Sequence, residues 1–269
     1  MKRILHTSDL HFGRTDPLLV EVLQRKAGLL KPDVVVVSGD LTQRAREDQF
    51  AEAQKFLDAV EAPKVVVPGN HDVPLYNVFA RFFRPLANYR KYISDDLWPT
   101  YQDDEMVILG MNTARSLTRA NGSISDRQIG HARRFFCSID RRLTKILVTH
   151  HPLDFPETMS DKHIVRRARH AIAALAQCGA DLYLAGHSHV PFAGSTAHRY
   201  RTAERAALVI HAGTSVSTRT RSQPNSFNVI LIDGRMISVQ HFDWNPEKSD
   251  FLAGNVSHFK HADRGWQVA

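Results

Sequence analysis

Lys64-Val65-Val66-Val67-Pro68-Gly69-Asn70-His71-Asp72 joins a β-branched run to a polar turn. The valines suit a strand buried on both faces, and Pro68-Gly69 ends it. Asn70, His71 and Asp72 therefore follow the strand's C-terminal end. The same grammar recurs on either side. Expected strands at Arg3 to His6, Asp33 to Val37, Lys145 to Thr149 and Asp181 to Ala185 run into Asp9/His11, Asp40, His150/His151 and His187/His189. A further strand is expected from Met106 to Met111. Amphipathic helices are expected from Leu18 to Leu30, from Glu47 to Val60, from a Ser125 cap to about Cys137, and from Asp161 to Gln177. Ser125 with Gln128 three residues on is a capping-box pattern, and Gly179 suits the C-terminal cap of the last helix.

Past His189 the pattern turns β-rich. Ala207 to His211, Phe227 to Ile232 and Met236 to His241 read as strands, with Asp233-Gly234 as a hairpin turn. Alternating strand and helix followed by β-rich sequence predicts an α/β fold with helices outside packed sheets. Residues 1–244 are expected as a single domain. An excursion at about 73–101, rich in aromatics and Arg, carries a short helix at Val78 to Phe83 and either caps the site or forms a long surface loop. Residues 245–269 are expected as a loosely held polar C-terminal tail.

Bulk properties set the bounds. The 269 residues are 43% hydrophobic and 23% charged, ordinary for a globular chain. Lys and Arg outnumber Asp and Glu by 35 to 28, a net +7 that favours anionic partners. The local clusters Arg166-Arg167-Arg169 and Arg199-Arg201-Arg205 read by default as solvated faces. No apolar run approaches the roughly 20 residues of a membrane span, and the first residues are not a signal peptide, so a cytoplasmic protein is expected. Cys137 and Cys178 fit no CxxC or zinc spacing and are expected as reduced interior thiols. Nucleic acid is not the expected partner. The oligomeric state stays open, with a homodimer as one option.

The 15 histidines matter by position. Asp9/His11, Asp40, Asn70/His71, His150 and His187/His189 stand in order past the C-terminal ends of strands, where open α/β sheets bind ligands. Each group alone is weak; their conjunction points to a metal site. His150 and His151 compete for one ligand position. His163 and His170 are expected to pack or face solvent. His211 either reaches the site or is structural, and Arg219 and Arg221 are candidates for phosphate or base contact.

Asp9-Leu10-His11, Gly39-Asp40, Gly69-Asn70-His71-Asp72, His150-His151-Pro152 and Gly186-His187-Ser188-His189 together resemble the calcineurin-like metallophosphoesterase superfamily. Thr7-Ser8-Asp9-Leu10-His11-Phe12-Gly13 and Gly39-Asp40-Leu41-Thr42 are similar to its bacterial class III cyclic-nucleotide phosphodiesterase branch. The resemblance implies a four-layer α/β sandwich of two mixed β-sheets flanked by helices. It implies that Asp9, His11 and His189 hold one metal, that Asn70, His150 and His187 hold the other, and that Asp40 bridges them. His150 rather than His151 follows from the family's position two before Pro. His71 would stabilise the transition state or protonate the leaving oxygen, and Asp72 would brace the loop. A carboxylate can bridge two cations, and mixed imidazole and carboxylate donors suit Mn, Fe, Zn or Co better than Ca or Mg. Two divalent ions against two carboxylates and a bridging hydroxide leave about +1, which attracts a phosphodiester anion. The implied reaction is direct attack of that hydroxide on phosphorus.

Two departures narrow the branch. Asp40-Leu41-Thr42-Gln43 lacks the Asp-Arg-Gly continuation of Ser/Thr protein phosphatases, and Gln43 stands where purple acid phosphatases place a ligating Tyr. A small phosphodiester such as a 3′,5′-cyclic nucleotide is the expected substrate. The alternatives are cleavage of a pyrophosphate in a nucleotide-sugar lipid precursor, and a non-catalytic metal-binding scaffold.

Overall fold

Two mixed sheets stack face to face in this computed structural model, which describes every residue except 119, 157–160, 198, 201–204 and 221–222. The first contains β1 (Lys2–Thr7), β2 (Val34–Ser38), β3 (Lys64–Val67), β10 (Ser226–Asp233), β11 (Met236–Asn245), β12 (Asp250–Ala262) and β13 (Gly265–Val268). Its order is β13-β12-β11-β10-β1-β2-β3, parallel from β1 to β3 and antiparallel from β1 outward through β10. The second contains β4 (Thr100–Gln102), β5 (Met106–Gly110), β6 (Thr144–Val148), β7 (Leu182–Ala185), β8 (Phe192–Ser195) and β9 (Leu208–His211), in the order β4-β5-β6-β7-β9-β8. Here β5, β6, β7 and β9 are parallel, with antiparallel β4 and β8 at the edges.

Strand periodicity builds the layers. Val34 and Val36 face the second sheet, meeting Ile108, Ile146 and Leu184 in the central core. Val35 and Val37 face α1 (Pro17–Leu30) and α2 (Glu47–Asp58), against Leu23 and Phe50. On the other side, Leu109 and Leu147 meet Phe136 of α5 (Asp126–Ser138) and Ile172 of α6 (Ala168–Ala176). This is the expected arrangement of helices outside two packed sheets. The Ser125–Gln128 capping box forms at the start of α5.

Four local expectations are corrected. The helix expected from Asp161 to Gln177 is divided into a 3-10 turn, Asp161–His163, and α6. Between them Val165 and Arg166 donate N–H bonds to Pro152 and Gly122, and Arg167 turns left-handed at φ 70°. Tertiary pairing outcompetes the helical ladder there. The excursion holds α3 (Val78–Phe83), as expected, and also α4 (Ala87–Tyr92), whose buried Tyr89 donates to the Val66 carbonyl at 2.9 Å. The segment after Trp244, expected as a loose tail, forms β12 and β13 with Phe251, Phe259 and Trp266 buried. Its apolar residues lie too far apart to read as an alternating strand. Cys137 and Cys178, expected as reduced thiols, are joined by a disulfide, because α5 packing on the chain after α6 brings their Cα atoms to 4.6 Å. Among the described residues no helix is long and apolar enough to cross a membrane.

Candidate metal centre

Five strands, from both sheets, deliver the candidate ligands to one end of the sandwich. β1, β2 and β3 lead to Asp9/His11, Asp40 and Asn70/His71. β6 and β7 lead to His150 and His187/His189. The turns are tight: Asp9, His11, Asp40, His187 and His189 all have left-handed backbones, with φ from 51° to 69°. Each such non-glycine residue costs on the order of 1 kcal/mol, and such strain gathers at functional sites. Backbone bonds from Asp9 to Gly39 and from His11 to Asp40, both 3.0 Å, hold two of the loops together. Gly39 adopts φ +89°, and a Cβ there would lie 2.6 Å from the His150 ring. At Gly69 a Cβ would lie 2.1 Å from Asp40 Oδ1. Both glycines keep space for the ligands' approach.

The donor atoms converge. Asp9 Oδ1 lies 3.2 Å from His189 Nε2 and 3.8 Å from His11 Nε2. His150 Nε2 lies 3.4 Å from Asp40 Oδ1 and 3.1 Å from Asn70 Oδ1. Asp40 Oδ2 is 3.9 Å from His11 Nε2, so the two oxygens of Asp40 face the two clusters. His187 joins His150 and His151 in a third set of close donor atoms.

Outer partners orient the rings. His150 Nδ1–H donates to the Ser38 carbonyl at 2.8 Å, leaving Nε2 to face the centre. His151 is satisfied by protein at both nitrogens, with Thr113 Oγ1 and the Ala120 carbonyl each at 2.9 Å. Of that pair, His150 is therefore the residue with a ring nitrogen free for a metal. Asp72 accepts from Gly69 N and Thr42 N at 2.9 Å, Leu41 N at 3.1 Å and Thr42 Oγ1 at 2.9 Å. It thereby ties the Asp40 loop to the Asn70 loop. Burial, and then the Asp40 carboxylate, push its carboxyl up to about 7 despite these donors.

Burial opposes ionisation of Asp40, but attraction to His150 and His71 outweighs it and holds the carboxyl well below the usual range. Burial lowers His11 to about 4, and burial with neighbouring His150 lowers His187 to about 3. Ionised carboxylates and neutral imidazoles are the states that bind metals; His150 differs, because the Asp40 carboxylate outweighs burial and raises it to about 9, so a cation there takes the place of its proton. The donor set fits two cations. His11 Nε2 and His189 Nε2 face each other at 3.4 Å, an approach that needs a proton or a cation between two lone pairs. Asp9 Oδ1 is buried without a well-formed hydrogen bond.

A cavity of about 230 Å³ opens over this cluster, lined among others by His71, Arg44 and Arg219. His71 Nδ1–H donates to the Gln43 carbonyl at 2.9 Å, so its Nε2 faces the cavity. Arg219 Nη1 lies 3.0 Å from that Nε2. Arg221 and Arg201 lie outside the described residues. His170 faces solvent, as expected. His163, expected to pack or face solvent, sits near the site, 5.6 Å from Phe155 and 6.0 Å from His187 between ring centroids. His211 is buried between Phe155 and Phe192, in none of the close donor sets. Gln43 and Arg44 were missed; their signal was position, directly after the Gly39-Asp40-Leu41-Thr42 turn.

The calcineurin-like phosphoesterase profile matches residues 2–191. The chain is 27% identical over 219 residues to the glycerophosphodiester phosphodiesterase GpdQ of Enterobacter lignolyticus, covering 76% of each chain. It is 26% identical over 199 residues to the 3′,5′-cyclic adenosine monophosphate phosphodiesterase CpdA of Escherichia coli K12, covering 70% of this chain and 69% of that one. A 77-residue stretch is 34% identical to the UDP-2,3-diacylglucosamine pyrophosphatase LpxG of Chlamydia muridarum, 28% of this chain and 23% of that one. Among solved structures, a purple acid phosphatase from yellow lupin superposes with TM-score 0.70 at 11% identity, covering 95% of this chain and 53% of that one. A dimetal phosphatase from Danio rerio gives 0.65 at 13% identity, covering 94% and 98%. These two likenesses concern the fold.

Proposed function

The chain belongs to the calcineurin-like phosphoesterase family and is a metal-dependent phosphoric ester hydrolase; from that premise we propose that it hydrolyses small phosphodiesters at a dinuclear centre. The observation that carries this reading is that the two oxygens of Asp40 face different ligand clusters. We assign Asp9, His11 and His189 to one ion, Asn70, His150 and His187 to the other, and Asp40 to both. Mn, Fe, Zn and Co suit the mixed nitrogen and oxygen donors. When bound, two such ions supply positive charge to the phosphoryl oxygens and acidify water.

The chain's own residues do the rest. Arg44 and Arg219 give the cavity a cationic wall for the diester anion. His71, fixed by Gln43, presents Nε2 to the leaving oxygen. Nε2 accepts from Arg219 Nη1; once Arg219 turns onto the diester, Nε2 is free to carry a proton to the leaving oxygen as the phosphorus–oxygen bond breaks, so the product leaves as an alcohol. The substrates we place first are 3′,5′-cyclic nucleotides, with glycerophosphodiesters next, following the two relatives that match most of the chain. A second reading, cleavage of a lipid-linked pyrophosphate, has the shorter LpxG stretch in its favour.

The test is hydrolysis of a bis-aryl phosphate diester by Mn²⁺-loaded protein, beside the aryl monoester and an Asp40→Ala control. Diester cleavage that exceeds monoester cleavage and disappears in the control is the expected result. Failure to cleave the diester, with two ions bound, would overturn the phosphodiesterase reading and leave the pyrophosphate as the next substrate.

A further inference from the structure

α3 presents its apolar residues to solvent. Val78, Phe79 and Phe83 are 66%, 68% and 73% exposed, and Tyr76 just before them is 76% exposed. Arg81 is the residue that turns inward. Its guanidinium donates to the carbonyls of Ser116, Pro74 and Thr118 at 2.7–2.9 Å. That clamp holds the 116–118 loop against the inward side of α3, while on the outward side the Phe79 and Phe83 rings lie 4.8 Å apart. Isolated exposed apolar residues are ordinary, but a contiguous group of this size marks an interaction surface.

Charge decides what that surface meets. From Val73 to Ser94 the sequence contains Arg81, Arg84, Arg90 and Lys91 and no acidic residue; Arg81 is buried, Lys91 pairs with Glu47 at 2.8 Å and Arg90 more loosely with Asp95 at 3.7 Å, so Arg84 and Arg90 are the cations this face offers. Beside α3 a second cavity, of about 480 Å³, has Val73, Phe83 and Leu97 in its walls together with Arg84, Arg90 and Arg115. Val73 also lines the catalytic cavity, so the two openings are neighbours. A second copy laid face to face on this surface would set arginines against arginines. Negatively charged headgroups above an apolar layer complement both features, since aromatic side chains settle at the headgroup level while arginines stay among the phosphates.

We infer that this face docks on an anionic lipid bilayer, with Phe79 and Phe83 entering the headgroup–acyl boundary and a headgroup phosphate seated among Arg84, Arg90 and Arg115. Docking in this way is peripheral and turns the catalytic mouth toward the membrane surface. It does not depend on which ester is cleaved.

The experiment is co-sedimentation of the full chain with vesicles of phosphatidylglycerol and phosphatidylcholine, against phosphatidylcholine alone. The variants are Arg84→Glu and the double change Phe79→Ser with Phe83→Ser. All three side chains are exposed and outside the catalytic centre, so hydrolysis of the soluble diester without vesicles should be unchanged and reports on folding. Wild type should sediment with the anionic vesicles and stay largely in solution with the neutral ones. Arg84→Glu should weaken binding at least about tenfold, and the double variant should lose it. Wild type remaining in solution with both vesicles would overturn the inference, as would variants that bind like wild type. So would gel filtration in which wild type is a dimer that the double variant dissociates, because the face would then belong to a second copy. Vesicle binding by a protein that cleaves no diester would leave this inference standing and remove the catalytic reading alone.

Discussion

Arg219 Nη1 lies 3.0 Å from Nε2 of His71, the ring nitrogen that the Gln43 carbonyl leaves facing the cavity. One residue comes from the 3-10 turn after β3 and the other from a loop 148 positions away, so the pairing is a product of the fold. It gives His71 a cationic neighbour that also lines the cavity.

His71→Ala should lower kcat for the diester by about 10²–10⁴-fold, the usual weight of a positioned general acid. Metal content should not change, because His71 is assigned to no ion. Arg219→Ala should lower kcat/KM by roughly ten- to hundredfold, as for loss of a charged hydrogen bond. Steady-state kinetics alongside metal analysis checks both. A His71→Ala protein with normal kcat would reduce that residue to a loop brace.

Acid stability is expected to follow His211. Burial between aromatic rings lowers its imidazole to about 3, whereas in the unfolded chain it titrates near 6.5. Between those values the unfolded state binds the extra proton, so stability falls as pH drops through about 6.5 and keeps falling toward 3. The loss attributable to this one group is about 2 kcal/mol by pH 5 relative to pH 8. Denaturant unfolding of wild type and His211→Leu at both pH values measures it. An identical pH dependence in the two proteins would show that His211 does not contribute.

The Cys137–Cys178 bond closes a sequence separation of 41 residues. Thiol titration of the unfolded, unreduced protein should find no free thiol. The double change Cys137→Ser with Cys178→Ser should lose on the order of 2–4 kcal/mol, mostly through a less restricted unfolded chain. Such bonds are rare in reducing cytoplasm, so the titration also bears on the expected compartment. Two free thiols would contradict the pairing.

Most of the candidate centre was legible because its signals are local. A short apolar run that stops at Gly69 or Gly186 fixes where Asn70 and His187 must lie, and strand direction carries them to one end of the sandwich. The two-layer core was legible in Val34 to Val37 for the same reason. What escaped depends on distant chain. Nothing near Cys137 reveals Cys178, and nothing near His163 reveals that it will sit beside Phe155 and His187. Phe251 and Phe259 are isolated apolar residues in polar sequence. They read as strand once β11 offers them a register, with Ile237 opposite Phe259 and Trp244 opposite Phe251. The break before α6 likewise follows from pairing of Ser123 with Arg166, a contact between separate segments.

In the proposed centre Asp40 joins two metal sites built from seven side chains. Metal analysis of wild type and Asp40→Ala, both purified without chelator and reconstituted with Mn²⁺, tests it most directly. Two ions per chain in wild type and at most one in Asp40→Ala is the predicted result. Fewer than two ions in the reconstituted wild type, or two retained without Asp40, would contradict it.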